Sequence, residues 1–384
     1  MLREGIKNTS DKGFVEEILS NPDCKEIFNC IQCGVCTGAC PISAYVTCVP
    51  RKIIAMTREG LKSQALETLD KCLLCGQCQM FCPAGIQIKE VLLKLRDVQF
   101  AHGKTPKGLM MVNGLVIDMH NPYMETHETR KKWIESTDLK EFASKRKANI
   151  AYFVGCTASY KGADGVCQSV AGILTKLNQD WTLLDDEWCC GITFRYVGNV
   201  DKAREYAEHN IKEIEKKGVD VVIAGCPTCW HNLKHRYPKL LGKENPFKVM
   251  HIYEYVLDQL NNGKIQIPKK MTERVTYHDP CDLSRYSMTH YPREIIGRIA
   301  ENFVEMPLHG KDSQCCGAGG LFDALDPALR SAHSTRRVRQ AEATGAQTLI
   351  TSCAGCRFYL RGAAKNAGSK LVVKDLMELL YAYV

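Results

Sequence analysis

The sequence predicts an α/β protein with an N-terminal, mostly α-helical domain built round two cysteine runs, followed by two duplicated cysteine-rich α/β domains. Three observations predict this class. Twenty-one of 384 residues are cysteine, and eight of the ten before residue 105 lie in two runs of identical spacing. From Asn149 onward a pattern of apolar strand, Cys-Cys-Gly, helix, strand and Cys-x-x-Cys occurs twice. The short apolar strands alternate with helical stretches, which implies parallel α/β units.

Residues 1–105 form the first expected domain. Cys30-x2-Cys33-x2-Cys36-x3-Cys40-Pro41 is followed by Cys72-x2-Cys75-x2-Cys78-x3-Cys82-Pro83. This is the bacterial two-cluster ferredoxin run, in which the fourth cysteine of each run serves the other cluster. Three cysteines at two-residue intervals curl the backbone round one corner of a cubane. The remaining iron takes a remote thiolate. One [4Fe–4S] is therefore expected on Cys30, Cys33, Cys36 and Cys82, and the other on Cys72, Cys75, Cys78 and Cys40. Glu90–Phe100 has apolar residues at helical spacing. Cys24, Cys48 and Cys167 lie outside every pattern and read as small buried hydrophobes.

Residues 106–149 read as a connecting arm, with helical period from Trp133 to Phe142. The net charge is +8, but its densest pieces, Arg130–Lys132 and Lys145–Lys147, are flanked by acids and read as a solvated linker face. Scattered positives of this kind argue against nucleic acid. An odd number of cysteines in a chain this long argues against a secreted disulfide scaffold. Met1–Asp23 is charged and has no apolar core of a signal peptide. No run approaches the roughly 18 apolar residues of a spanning helix. The expectation is a cytoplasmic protein with no direct membrane span, touching the inner face of a membrane at most through a partner.

The first repeat, residues 150–262, opens with strand Ile150–Val154 and Cys156. It continues to Cys189-Cys190-Gly191, a helix at Lys202–Lys217, and strand Val219–Ala224 feeding Cys226-Pro-Thr-Cys229. The second, residues 263–384, opens with strand Val275–Tyr277 and Cys281. It continues to Cys315-Cys316-Gly317, a helix at Pro327–Thr344, and strand Thr348–Thr351 feeding Cys353-Ala-Gly-Cys356. Apolar helices close the copies at Ile252–Leu260 and Leu376–Leu380, and Gly263–Lys270 is the joint. From the first cysteine to the pair there are 32 and 33 residues, and from the pair to Cys-x-x-Cys 35 and 36, so the copies are in register. Ligands of such sheets sit beyond the carboxyl ends of strands, where these cysteines fall. Five cysteines exceed what one cubane needs, so either one is spare or the centre is unusual. A structural zinc in the first copy is the alternative. His231 and His278, beside these cysteines, are candidate proton donors, with a hydrogen-bonded structural histidine as the competing reading.

These motifs resemble the catalytic subunits of heterodisulfide reductase. CIQCGVCTGACP and PRKIIAM are similar to the family's small, ferredoxin-type catalytic subunit. The remainder is similar to the family's CCG-type catalytic subunit, with two complete CCG domains. The order matches the fused, D-type form, in which both parts lie on one chain. The resemblance implies a non-cubane [4Fe–4S] cluster on Cys156, Cys189, Cys190, Cys226 and Cys229. It implies a second on Cys281, Cys315, Cys316, Cys353 and Cys356. It further implies reduction of CoM-S-S-CoB by single electrons, in methanogenesis-type chemistry. The donor would be a membrane b-type cytochrome or a cytosolic flavoprotein. After Cys190-Gly191 this chain has Ile-Thr-Phe-Arg, where the family commonly has a small residue and proline. Two other readings share the motif order: an iron–sulfur subunit of a quinone-linked 2-hydroxyacid or glycerol-3-phosphate dehydrogenase, and a persulfide or trisulfide reductase of the sulfite-reduction pathway. No Gly-rich dinucleotide fingerprint is present.

Overall fold

The computed structural model describes residues 10–69, 71–135, 137–160 and 164–384. Short helices (Lys12–Leu19, Pro50–Arg58, Lys62–Thr68) surround a longer one, α1 (Ile88–Ala101). Helix α1 carries apolar residues on most of its circumference, and Val91, Leu92, Leu93, Leu95 and Val98 are all buried. Its Arg96 is fully buried and donates to the Leu69 carbonyl at 3.0 Å and to Gln99 at 2.9 Å. Both cysteine runs bend identically. Gln32 and Leu74, each two residues after the first cysteine, have positive φ, and so do Gly34 and Gly76. Two left-handed residues in each run turn three sulfurs toward one point.

The segment expected to be a connecting arm contains helix α2 (Lys107–Met119), whose Leu109, Val112 and Val116 are buried. The helical period at Trp133–Phe142 is realised only as two short pieces, Lys132–Glu135 and Lys140–Ala143. Arg130 corrects the linker-face expectation. It is 3% exposed, because an ion pair with Glu187 compensates its burial.

Each repeat folds as a four-stranded parallel sheet. The strands are β1 (Ile150–Phe153), β2 (Trp181–Leu183), β3 (Val221–Ala224), β4 (Lys248–His251), β5 (Met271–His278), β6 (Ala300–Glu305), β7 (Thr348–Thr351) and β8 (Val372–Asp375). The orders are β2-β1-β3-β4 and β6-β5-β7-β8, so the two copies have one topology. The central strands IAYF, VVIA and TLIT are apolar runs because helices cover both faces. Those helices include α3 (Val200–Lys216), α4 (Ile252–Asn261), α5 (Pro327–Glu342) and α6 (Leu376–Tyr383). The copies share one hydrophobic core, and Tyr253 of α4 donates to Asp375 at the start of α6, 2.9 Å away. In each sheet the two central strands end where the cysteine loops begin, at the point where strand order reverses. Among the described residues no helix is long and apolar enough to cross a membrane.

Candidate metal centres

Among the described residues no disulfide joins any two cysteines. In the N-terminal domain Cys30, Cys33, Cys36 and Cys82 wall one cavity, with Arg51, Ile54 and Ile88. Cys40, Cys72, Cys75 and Cys78 wall a second, with Lys89, Leu92 and Cys48. Burial pushes the Cys75 thiol up to about 11 and Cys40 up to about 12. Thiols crowded together and hard to ionise are what a bound cation relieves, so these residues fit an iron–sulfur cluster. Cys48 is buried as expected, but it also donates to Cys72, whose pKa this contact shifts down to about 7. Burial pushes Cys24 up to about 12, in keeping with an inert thiol.

Ten of the eleven later cysteines, all but Cys167, form a continuous line of sulfur contacts. In the first copy it runs Cys156, Cys189, Cys190, Cys229, Cys226. In the second it runs Cys281, Cys315, Cys316, Cys356, Cys353. Cys226 touches Cys353, which joins the copies. The first copy's Cys189 and Cys190 carbonyls accept from Asn210 and Tyr237 at 3.1 and 3.2 Å, and Cys190 also from Asn232. The second copy's Cys315 and Cys316 carbonyls accept from His333 and Ser334 at 2.9 and 2.7 Å. Gly317, with φ of 105°, lets α5 come close: a Cβ there would sit 3.0 Å from the Arg330 carbonyl.

The candidate histidines occupy different places. A ring nitrogen of His278 lies within 4.8 Å of the Cys316 and Cys356 sulfurs. His231 lies behind Asp282, in a separate groove with Lys89, His235 and Tyr286. Burial pushes His278 down to about 3 and His231 down to about 2, so both are neutral imidazoles at ordinary pH.

Two groups went unread in the sequence. Arg130 donates to Cys156 Sγ at 3.4 Å and to Glu187 at 2.7 Å. Asp282, next to Cys281, pairs with Lys89 of α1 at 3.2 Å and accepts from Thr228 of the first copy at 2.5 Å. Burial works against its carboxylate, but Lys89 holds it well below the usual range. No local pattern marks residues 193 positions apart.

A cavity of about 450 Å³ opens between α2 and the second copy's loops. Met111, Val112 and Leu115 line one side, and Cys281, Cys315, Cys316, Cys353 and Cys356 the other. The N-terminal unit adjoins the same loops. Arg285 donates to the Cys75 carbonyl at 3.2 Å and to the Ser313 carbonyl at 2.7 Å, tying the two units.

Comparison with known proteins matches this geometry to named families. Residues 150–234 and 275–361 match the cysteine-rich domain model, and residues 26–86 the 4Fe-4S dicluster domain. The D-type subunit of dihydromethanophenazine:CoB–CoM heterodisulfide reductase from Methanosarcina barkeri is 33% identical, over 92% of this chain and 93% of its own. The chain belongs to the family of D-type heterodisulfide reductase subunits. The B-type subunit of the CoM/CoB fumarate reductase from Methanothermobacter marburgensis is 26% identical over 93% of this chain and 72% of its own. EtfAB:quinone oxidoreductase of Syntrophomonas wolfei is 22% identical over 98% and 60%. As a heterodisulfide reductase-like oxidoreductase, the chain carries iron–sulfur clusters and reduces a disulfide.

Proposed function

We propose that the chain cleaves a CoM-S-S-CoB heterodisulfide in the 450 Å³ cavity. The supporting observation is that all five cysteines of the second copy line that cavity. The reaction adds two electrons and two protons to one S–S bond and releases two thiols. Iron–sulfur clusters supply electrons singly, and the chain's own residues position them and shield the bond from water. Cys30, Cys33, Cys36 and Cys82 would hold one cubane, and Cys40, Cys72, Cys75 and Cys78 the other. Cys156, Cys189, Cys190, Cys226 and Cys229 would hold one non-cubane centre, and Cys281, Cys315, Cys316, Cys353 and Cys356 its counterpart. Five sulfurs in one line of contacts in the first copy support iron over zinc there, since structural zinc takes four ligands.

Division of labour follows residues 1–105 as the conducting unit, 106–149 as the cavity wall, and 150–262 and 263–384 as the bond-breaking units. Electrons would enter near Cys33, the one cysteine exposed among those described. Phe28, Ile31 and Val35 are exposed around it, a surface suited to an electron-donor partner. The Methanosarcina relative's name couples dihydromethanophenazine to CoB–CoM, which supports a membrane b-type cytochrome over a cytosolic flavoprotein. The chain would then sit at the inner face of the membrane through that partner. His231, outside the cavity lining and in the neighbouring groove, supports a structural role better than proton donation, while His278 stands close to the second copy's sulfurs.

The test is EPR of the oxidised full chain with CoM-SH or CoB-SH. A paramagnetic signal seen only with one of these thiols is expected, with about 16 iron and no zinc per chain for four [4Fe–4S] centres. Silence with both thiols, in a chain that a hydroxyacid dehydrogenase partner does reduce, overturns the proposal.

A further inference from the structure

The two copies differ in what surrounds their sulfurs. Phe153 ends β1, three residues before Cys156, while His278 ends β5, three residues before Cys281. Helices α3 and α5 begin at the side-chain caps Asn199 and Asp326. Eleven residues on from the caps stand Asn210 and Arg337. At these positions the second copy therefore has imidazole and guanidinium where the first has phenyl and amide, and the first copy's own buried guanidinium, Arg130 on Cys156 Sγ, is neutralised by Glu187 at 2.7 Å.

Arg337 is 1% exposed and His278 is fully buried. Arg337 donates to Gln340 at 2.5 Å, to the Leu308 carbonyl at 3.4 Å and to His278 Nδ1 at 3.3 Å. Among the described residues no carboxylate lies within ion-pair distance of it. The nearby Asp279 is held instead by both Nη atoms of Arg293, at 2.7 and 2.9 Å. A buried cation without a carboxylate is costly unless another anion balances it. Arginine's donation to Nδ1 puts the imidazole proton on Nε2, and Nε2 has no hydrogen-bond partner. The available acceptors are sulfurs, since a ring nitrogen lies within 4.8 Å of Cys316 and Cys356.

We propose that Arg337 and His278 act as a positioning pair that sets the second copy's centre at a higher reduction potential than the first copy's. The inference rests on the iron–sulfur reading above. A reduced centre carries one more negative charge, so a buried cation and an N–H donor stabilise it more than the oxidised one. Net charge and hydrogen bonds to sulfur are the protein's means of setting such potentials. The consequence is directional. Electrons leaving the Cys75 side meet the second centre first and settle there, and the first centre follows through the Cys226–Cys353 contact.

The experiment is an EPR-monitored redox titration of the iron-loaded full chain, made with ¹⁵N-histidine. A nitrogen coupling in one centre identifies it as the second. His278→Phe, which copies the first repeat, should abolish that coupling. It and Arg337→Gln should each lower that centre's midpoint by at least a tenfold change in its equilibrium, which is about 59 mV for one electron. Arg337→Lys should leave it unmoved, and the other three centres should not respond. Should Arg337→Gln lose iron, His278→Phe and Arg337→Lys decide alone. An unmoved midpoint in loaded His278→Phe, or wild type without nitrogen coupling, overturns the proposal. Failure of the cluster reading looks different: wild type would hold far fewer than about 16 iron.

Discussion

The Arg130 guanidinium has three anchors: the Glu187 carboxylate at 2.7 Å, the His120 carbonyl at 3.3 Å and Cys156 Sγ at 3.4 Å. Glu187 in turn accepts from the Val154 and Gly155 amides at 2.8 and 2.9 Å, which shapes the turn leading into Cys156. Removing one partner of a buried pair leaves the other charge uncompensated, at about 3–5 kcal/mol. Arg130→Met is therefore expected to lower the unfolding free energy of the metal-free chain, measured by urea titration, by that order. Glu187→Gln combined with it should recover much of the loss, because the stranded charge is then gone. A loss in the double variant equal to the sum of the two single losses would show that the pair is not coupled. Position 130 reads as solvated in the sequence because it lies among Lys131, Lys132 and Glu128. Its compensating acid is 57 residues away, beyond any local pattern. The cysteine runs are legible for the opposite reason, because cluster chelation constrains neighbours three residues apart.

Equivalent helices of the two copies start differently, with His251 before α4 and Asp375 before α6. Asp375 caps α6 by accepting from Met377 N at 2.9 Å, and Glu378 completes a capping box. Burial raises its carboxyl to about 7, and one of its oxygens has no partner, as suits a protonated acid. A folded value above the unfolded 3.8 means the folded state binds more proton between the two. The stability it contributes is thus fully present below about 3.8 and is lost as pH rises through about 7. Asp375→Asn keeps a capping oxygen and cannot ionise. The difference in unfolding free energy between variant and wild type should therefore grow in the variant's favour from pH 4 to pH 8, by a few kcal/mol. A difference that stays flat across this range would place the carboxylate in its ordinary state. Helix α2 shows why elements were unevenly legible. Its apolar residues are visible in LMMVNGLVIDM, yet only the tertiary structure makes Met111 and Val112 a cavity wall. Strands β4, β6 and β8 pass unread because KVMH, AENFVE and VVKD mix charged with apolar residues, unlike the apolar IAYF, VVIA and TLIT, and β2 because three residues show no period.

On the scale of the whole molecule, the conducting and bond-breaking halves must touch closely enough for electrons to cross. They meet where Leu73, between Cys72 and Cys75, lies against Gly319 and Gly320 of the second repeat. A Cβ at Gly319 would drive into the Leu73 carbonyl oxygen and stand 3.2 Å from Cys315 Sγ. Backbone oxygen cannot step aside as a flexible side chain can, so Gly319→Ala must widen the seam. The N-terminal helices keep a core of their own and each half keeps its own cysteines, so both should still load iron. The expected outcome is reduction of the N-terminal centres by a small dye at the wild-type rate, with disulfide turnover at least tenfold slower. Gly114→Ala is the control, since a Cβ there meets nothing within 4 Å. Stopped-flow absorbance of the two steps separates them, and turnover in Gly319→Ala equal to that of the control would mean electrons cross elsewhere. The closeness at Gly319 also explains why the duplicated sequence is not duplicated in role. The first copy has Ile-Thr-Phe-Arg after its glycine, and its Arg195 pairs with Asp97 of α1 at 2.8 Å instead of admitting a cysteine loop. On the proposed reading, the second repeat would receive electrons from the N-terminal unit and the first from its twin.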